Sequence, residues 1–350
     1  MERVDIYSAV PDDIGWHPIH RMIELMSSYI DADVRPVDLH ASLSRLTRTL
    51  AFLPRRRSST DCAVVIASDP GQLLALAQPA HFRQQYRRII GWVIDSFWDD
   101  RIPMSVRHRN FYDVIFVTDP QDVRSWTEAG VDHVECLPWG SDVLSVMNRE
   151  QTTRTIDLQR VGRQPASWDN DEQTRTLAAS HGLTYRGRTF QAHNKPTPGE
   201  AWIDLDHALW SAKAVLAFSV RDAPTKYTHP TKDYLTGRWT DALAHGCVVM
   251  GSRPSSDAAD DLLWDEATIE LDPRDPARGL NAAVKLLAGW TPQIARDIQI
   301  RALEKLDWRH RFAEVFRALG VDSPELRRDL DTIGALVTDA AQTPQEGPSA

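Results

Sequence analysis

The stretch Lys226–Ser252, KYTHPTKDYLTGRWTDALAHGCVVMGS, decides how the chain is read. It passes from a polar loop into a short helical pattern over Leu235–Ala244, stops at Gly246, and enters the apolar run Val248–Gly251. Glycine just past a helical pattern ends it, because only glycine takes the left-handed turn there without strain. A short apolar run after such a stop reads as a buried strand. The loop brings Lys226, Tyr227, Thr228, His229, Thr231, Lys232 and Tyr234 towards the helix start, and Arg238 falls in or near its first turn. The first N–H groups of a helix lack internal partners and carry its positive dipole end, so they attract an anion. Neighbouring cations strengthen that attraction and fit two adjacent phosphates.

Outward from this segment, short apolar runs alternate with longer amphipathic stretches, the pattern of parallel β/α units. In the first half the runs are 4–10, 34–39, 62–67, 89–94, 114–118 and 134–137; in the second they are 155–161, 183–186, 214–218, 248–251 and 268–271. Helical spacing falls on 18–30, 71–86, 121–129, 171–181, 276–288 and 292–319. The polar stretch Asn148–Thr153 carries no periodicity and reads as a linker. The chain of 350 residues suits two domains. The expected architecture is α/β: two Rossmann-like, doubly wound domains facing a cleft, one of residues 1–150 and one of 151–305. The C-terminal helices of about 306–337 are expected to pack back on the first domain, and 338–350 to be a disordered tail.

A net charge of −9 sets the surface against nucleic acid. The local run Arg55–Arg57 reads as a solvated loop; its sharper reading is a dock for a phosphate-bearing acceptor or a membrane surface. The N-terminus, MERVDIYSAV, enters a strand directly and has no signal-like segment. The longest apolar stretch, ALWSAKAVLAFSV, contains Lys213 and is too short to span a bilayer. Three cysteines in apolar runs, without framework or CxxC spacing, point to reduced, buried thiols and a cytoplasmic setting. Twelve tryptophans are many, and Trp98, Trp139, Trp168 and Trp239 stand among charges, which suggests that some line a cleft. No G-x-G-x-x-G follows the first strand, and no P-loop or G-x-S-x-G elbow occurs.

The stretch GRWTDALAHGCVVMGSRP resembles the donor-site motif of GT-B glycosyltransferases, particularly their group-1-like and CgeB-like branches, whose pattern is roughly R-x-F-E-A-L-A-x-G before an apolar strand. Arg238 matches the Arg, and Asp241, Ala242, Leu243, Ala244 and Gly246 follow in register; Trp239 precedes the aromatic slot, which Thr240 fills. The resemblance implies that Asp241, shorter than the usual Glu, accepts hydrogen bonds from a nucleotide ribose. Val161–Arg163 is similar to the start of the family's C-terminal domain, where an Arg reaches the donor phosphates. The Lys that usually follows is missing from QPASWDND, which leaves Lys195, Lys226 or Lys232 to substitute. HVECLPWGSD is similar to the segment closing the family's N-terminal domain. The motif match is specific over about Tyr234–Ser252.

The activity so implied is transfer of a sugar, of hexosyl type, from a nucleoside diphosphate sugar to an acceptor hydroxyl. The expected donor ligands are Arg163, Lys226, Tyr227, Lys232, Tyr234, Arg238 and Asp241. An inverting transfer needs a base for the acceptor hydroxyl, and Asp95 and His17 are the candidates at the carboxyl ends of the N-terminal strands. The nucleotide sugar is a co-substrate, and no cofactor is expected. Asp12-Asp13 and Asp99-Asp100 are not D-x-D, and no HxH or HExxH occurs, so no obligatory metal is expected. The acceptor stays open among glycan, lipid, protein and natural product. Two rivals keep the fold: a sugar-nucleotide epimerase, which needs further acids and bases in the C-terminal domain, and a non-catalytic binding protein.

Overall fold

The computed structural model describes residues 3–39, 44–46, 61–77, 82–106, 111–150, 152–189 and 196–342. Arg55–Arg57 and Lys195 lie outside the described residues, as do 343–350 of the expected tail. The runs of β-branched and small apolar residues form two all-parallel sheets. The first contains β1 (Val4–Ala9), β2 (Asp33–Pro36), β3 (Cys62–Ala67), β4 (Arg88–Val93), β5 (Val114–Val117) and β6 (Val134–Cys136), in spatial order β2-β1-β3-β4-β5-β6. The second contains β7 (Ile156–Arg160), β8 (Tyr185–Arg186), β9 (Ala212–Leu216), β10 (Val248–Gly251) and β11 (Thr268–Glu270), in order β11-β10-β9-β7-β8. Each of the eleven strands overlaps an apolar run of the sequence.

Both sheets reverse direction once, between β1 and β3 and between β7 and β9. Such a switch point leaves a crevice at the carboxyl ends of the strands, because the connecting helices there diverge to opposite faces. β1, β3 and β4 are buried almost throughout, as strands covered on both faces must be.

The helices follow less regularly. Sequence periodicity over 292–319 reads as one helix, yet the chain breaks at Asp307 (φ −62°, ψ 134°) into Pro292–Leu306 and Trp308–Leu319. The fully buried Asp307 carboxylate accepts from the backbone N–H of Leu144 (2.8 Å) and Arg309 (2.9 Å). Backbone pairs Ser141 N to Leu306 O and Trp308 N to Ser141 O fasten the break to the loop after β6. The Trp308–Leu319 helix then runs beside the first sheet: Arg88 donates to Ala318 O, and Tyr29 meets Phe312 with ring centroids 6.1 Å apart. Thr338–Gln342, expected in a disordered tail, are the end of the Pro324–Gln342 helix. Ala340, Ala341 and Gln342 are good helix formers, and they extend a helix already anchored by buried Leu326 and Ile333.

Helices Val143–Met147, Pro198–Trp210 and Asp257–Leu262 were not separated in the sequence. The stretch 71–86 is a 3-10 turn over Pro70–Ala77 and a short helix at Phe82–Gln85. Trp168 and Trp239 are core residues, each 1% exposed, rather than cleft residues. Cys62 and Cys247 are buried, Cys136 is partly buried, and none of the three is in a disulfide. No helix among the described residues is long and apolar enough to cross a membrane.

Gly251 ends β10 where the chain leaving β9 crosses it. A Cβ there would stand 1.7 Å from Ala217 O. Backbone cannot yield as a flexible side chain would, so Gly251→Ala is expected to cost about 3 kcal/mol or more. Urea unfolding checks this, and an unchanged midpoint contradicts it.

Candidate active site

The switch point of the second sheet opens onto a cavity of about 980 Å³ whose opposite wall comes from the first half. The second sheet contributes Val161–Gln164 after β7 and Val220 after β9; the Thr236–Arg238 helix start joins them. The first half contributes Trp16, Asp95 and Trp139. A second cavity, about 1320 Å³, lies over the ends of β1, β2 and β3 and shares Trp16, Arg163, Thr225 and Tyr227 with the first.

Arg163 and Arg238 meet at the end of β7. Gly162 is left-handed there (φ +67°), and the Arg238 guanidinium lies so close that a Cβ on Gly162 would come within 3.1 Å of Arg238 Cζ. Arg238 donates to Phe218 O (3.1 Å), while Arg163 donates to Thr225 Oγ1 (2.6 Å) and Thr228 Oγ1 (3.3 Å). Neither guanidinium has a carboxylate partner among the described residues, whereas Arg160 nearby is paired with both Asp169 and Asp171. Burial and the neighbouring Arg163 charge push Arg238 down to about 10, so it stays cationic at neutral pH. The Gly237–Ala244 helix opens beside these cations with no side-chain cap from Thr236, whose hydroxyl is buried without a partner.

Asp241, one turn further on, lines the same cavity, and its Oδ1 accepts from Ser141 Oγ (2.5 Å) in the segment after β6. Burial raises its carboxyl to about 6, opposed by the Ser141 hydrogen bond. Tyr234 stacks on Phe97 at 3.6 Å between centroids and lines the cavity. Tyr227 lies edge-on to Trp98.

Asp95, just beyond β4, lines the cavity from the opposite side. Burial drives its carboxyl up to about 7, against a hydrogen bond donated by the Tyr227 hydroxyl that favours ionisation. His17, the other candidate base, is placed differently. Its ring stands 6.2 Å from that of Trp202 and lines neither large cavity, because the unpredicted Pro198–Trp210 helix packs over it. Lys232 is also diverted: Nζ reaches Asp122 (2.8 Å) and Asp99 (3.0 Å) in the first half. Burial works against this ammonium, but the two carboxylates hold its pKa above the ordinary value. Lys226 is exposed and lines neither cavity.

Among the described residues no three His, Cys, Asp or Glu side chains gather as a metal site requires. Asp13 is instead bonded to Gly15 N, and Asp99 to Lys232. Sequence reading missed Ser141, Phe97 and Thr225. The Pro198–Trp210 helix also escaped, although its Thr197–Glu200 capping box was legible in TPGE.

A carboxyl raised in the folded state contributes stability that is present below its unfolded pKa and is lost as pH rises through the folded value, at about 1.4 kcal/mol per pKa unit. For Asp95 that window runs from about 4 to about 7. Asp95→Asn is therefore expected to raise the melting temperature at pH 8 relative to wild type, and to do so less at pH 5. Equal shifts at both pH values would contradict the raised pKa.

No protein-family model matches the sequence, and no curated protein matches it. The structure is similar to an alpha-glucosyltransferase in complex with UDP-glucose and DNA containing an abasic site (10% identity, 91% of this chain and 98% of that one, TM-score 0.52). It is similar to the lipopolysaccharide outer core galactosyltransferase WaaB (12% identity, 91% and 99%, TM-score 0.50) and to a Listeria monocytogenes protein assigned as a UDP-N-acetylglucosamine 2-epimerase (11% identity, 91% and 96%, TM-score 0.52). The chain spans 55% of the length of S. aureus TarM, with a TM-score of 0.47. Two facing parallel sheets, superimposable over nine-tenths of the chain on glycosyltransferases of this architecture, give the protein the GT-B fold.

Proposed function

We propose that the protein is a glycosyltransferase that binds a nucleoside diphosphate sugar between its two sheets and passes the sugar to an acceptor hydroxyl. The observation that carries this reading is the pair of guanidiniums, Arg163 and Arg238, that face an open cavity beside an uncapped helix start without any carboxylate partner. Buried charge without a counter-charge is costly, so a ligand that brings negative charge is favoured there. A diphosphate fits that demand, and the charge it gains as it leaves is stabilised in place by donors already fixed. UDP-sugar ligands of GT-B structures such as the alpha-glucosyltransferase support the same choice.

In this reading the unit of residues 151–305 holds the donor and the unit of residues 1–150 takes the acceptor. Asp241 accepts from the ribose. Tyr234 and Tyr227 border the donor, and Lys226 reaches in only if its loop closes over it. Lys232 acts on the donor indirectly, by tying the 226–236 loop to Asp99 and Asp122. Asp95, with a pKa near neutrality and a place opposite the phosphates, takes the acceptor proton. The reaction proposed is metal-independent, with positive charge supplied by the two arginines and the helix. A group-1-like or CgeB-like relationship rests on the Arg238–Gly246 motif alone.

Arg238→Ala is expected to weaken UDP binding tenfold to a hundredfold, since a hydrogen bond to a charged group contributes about 1.5–3 kcal/mol. Calorimetry with UDP checks this, and undiminished affinity would move the phosphate site elsewhere. Asp95→Asn is expected to lower the transfer rate by about 10²–10⁴ while UDP affinity holds. The epimerase reading is separated by incubating the protein with UDP-N-acetylglucosamine and no acceptor: no epimer is expected, and its formation would overturn transfer as the assignment.

A further inference from the structure

The cavity over the first sheet has a chemistry unlike the donor cleft. Its described lining carries Asp12, Asp13, Glu24 and Asp69, besides Asp38, which is engaged elsewhere, and one guanidinium, Arg163, at the border with the donor side. Asp69 is neutralised by Arg101 (2.9 Å). Asp13 accepts only from Gly15 N, and Asp12 and Glu24 have no cationic partner among the described residues. His20 Nε2 pairs with Pro11 O (3.0 Å); a carbonyl only accepts, so that nitrogen is the donor and is already engaged.

A second observation lies on the floor of the cavity. Ser8 near the end of β1 and Ser68 just past β3 are 5% and 3% exposed, line the cavity, and have hydroxyls without a hydrogen-bond partner among the described residues. Both lie at the carboxyl ends of the paired strands β1 and β3 at the switch point, and each hydroxyl can donate to and accept from a polar ligand in the cavity. Asp95 N donates to Ser68 O (2.9 Å), so the Ser68 backbone adjoins that of Asp95, whose carboxyl lines the neighbouring cavity. Trp16 and Val10 provide apolar walls against which a ring's C–H face can lie.

From this floor of hydroxyls under the carboxylates of Asp12, Asp13 and Glu24 we infer that the acceptor is a cationic polyol: a hydroxyl-rich ring compound carrying amino groups. Carboxylates only accept hydrogen bonds, so the ligand must be rich in donors, and ammonium groups answer their charge. A phosphate- or carboxylate-bearing acceptor would meet repulsion from Asp12, Asp13 and Glu24. The inference rests on the sugar-transfer reading for its orientation, with the accepting hydroxyl at Asp95 and the amines towards Asp12 and Glu24.

The test is calorimetric titration of the full chain at low salt and pH 7 with three probes of similar size: kanamycin A, maltotriose and trigalacturonic acid. Kanamycin A is expected to bind at least tenfold more tightly than maltotriose, and trigalacturonic acid not to bind. The double substitution Asp12→Asn with Glu24→Gln is expected to weaken kanamycin binding at least tenfold while the melting temperature and UDP affinity hold. Ser68→Ala is expected to weaken kanamycin and maltotriose alike. Maltotriose or trigalacturonic acid binding as well as kanamycin A, kanamycin binding that survives the double substitution, or no binding of any probe would each overturn the inference. UDP titration on the same preparations reports the donor site separately, so failure of the acceptor class leaves a distinct signature from failure of the transferase reading.

Discussion

Two positive charges that the protein itself does not neutralise organise the structure around them. Arg163 and Arg238 are held by neutral partners only: the hydroxyls of Thr225 and Thr228 and the carbonyl of Phe218. These bonds fix where the guanidiniums point without cancelling their charge. Desolvating like charges side by side is unfavourable in the empty protein, and it is tolerated here because β7 and β9 separate at this point and leave the pair facing the cavity. The same separation lets the Gly237–Ala244 helix aim its uncapped end at the same space. Preorganised donors of this kind need not rearrange when charge develops on a ligand.

The two halves are fastened closely enough to hold the opposite wall in register. Lys232 bridges to Asp99 and Asp122, Tyr227 donates to Asp95, Ser141 donates to Asp241, and Phe97 stacks on Tyr234. Each of these links joins a residue of the first half to one of the second beside the cavity. The break at Asp307 completes the assembly by sending the last helices back along the first sheet. The Arg163 and Arg238 guanidiniums and the buried Asp95 carboxyl are thus positioned by one shared scaffold.

The central strands were legible because a parallel sheet buried on both faces demands continuous apolar runs. The helix beginning at Gly237 was legible for a related reason: Gly246 and the Val248–Gly251 run bracket it. What stayed hidden depended on long-range contacts. Periodicity continues straight through Asp307, and only the partners it finds at Leu144 and Ser141 break the helix. Lys232 looked like a phosphate ligand by its place in the loop, but Asp99 and Asp122, more than a hundred residues away, claim it. His17 and Asp95 could not be ranked from sequence, since the ranking turns on Trp202 covering one and the cavity opening onto the other. Asp241 was found by its motif, but its partner Ser141 lies in a segment whose Gly-Ser-Asp pattern is too common to single out.

The most direct test is a crystal structure of the protein grown with UDP. The account predicts the diphosphate against the guanidiniums of Arg163 and Arg238 and the first N–H groups of the Gly237–Ala244 helix, with the ribose at Asp241. Nucleotide seated elsewhere, or a cleft that excludes UDP while Arg163 and Arg238 turn to carboxylates of the protein, would contradict it.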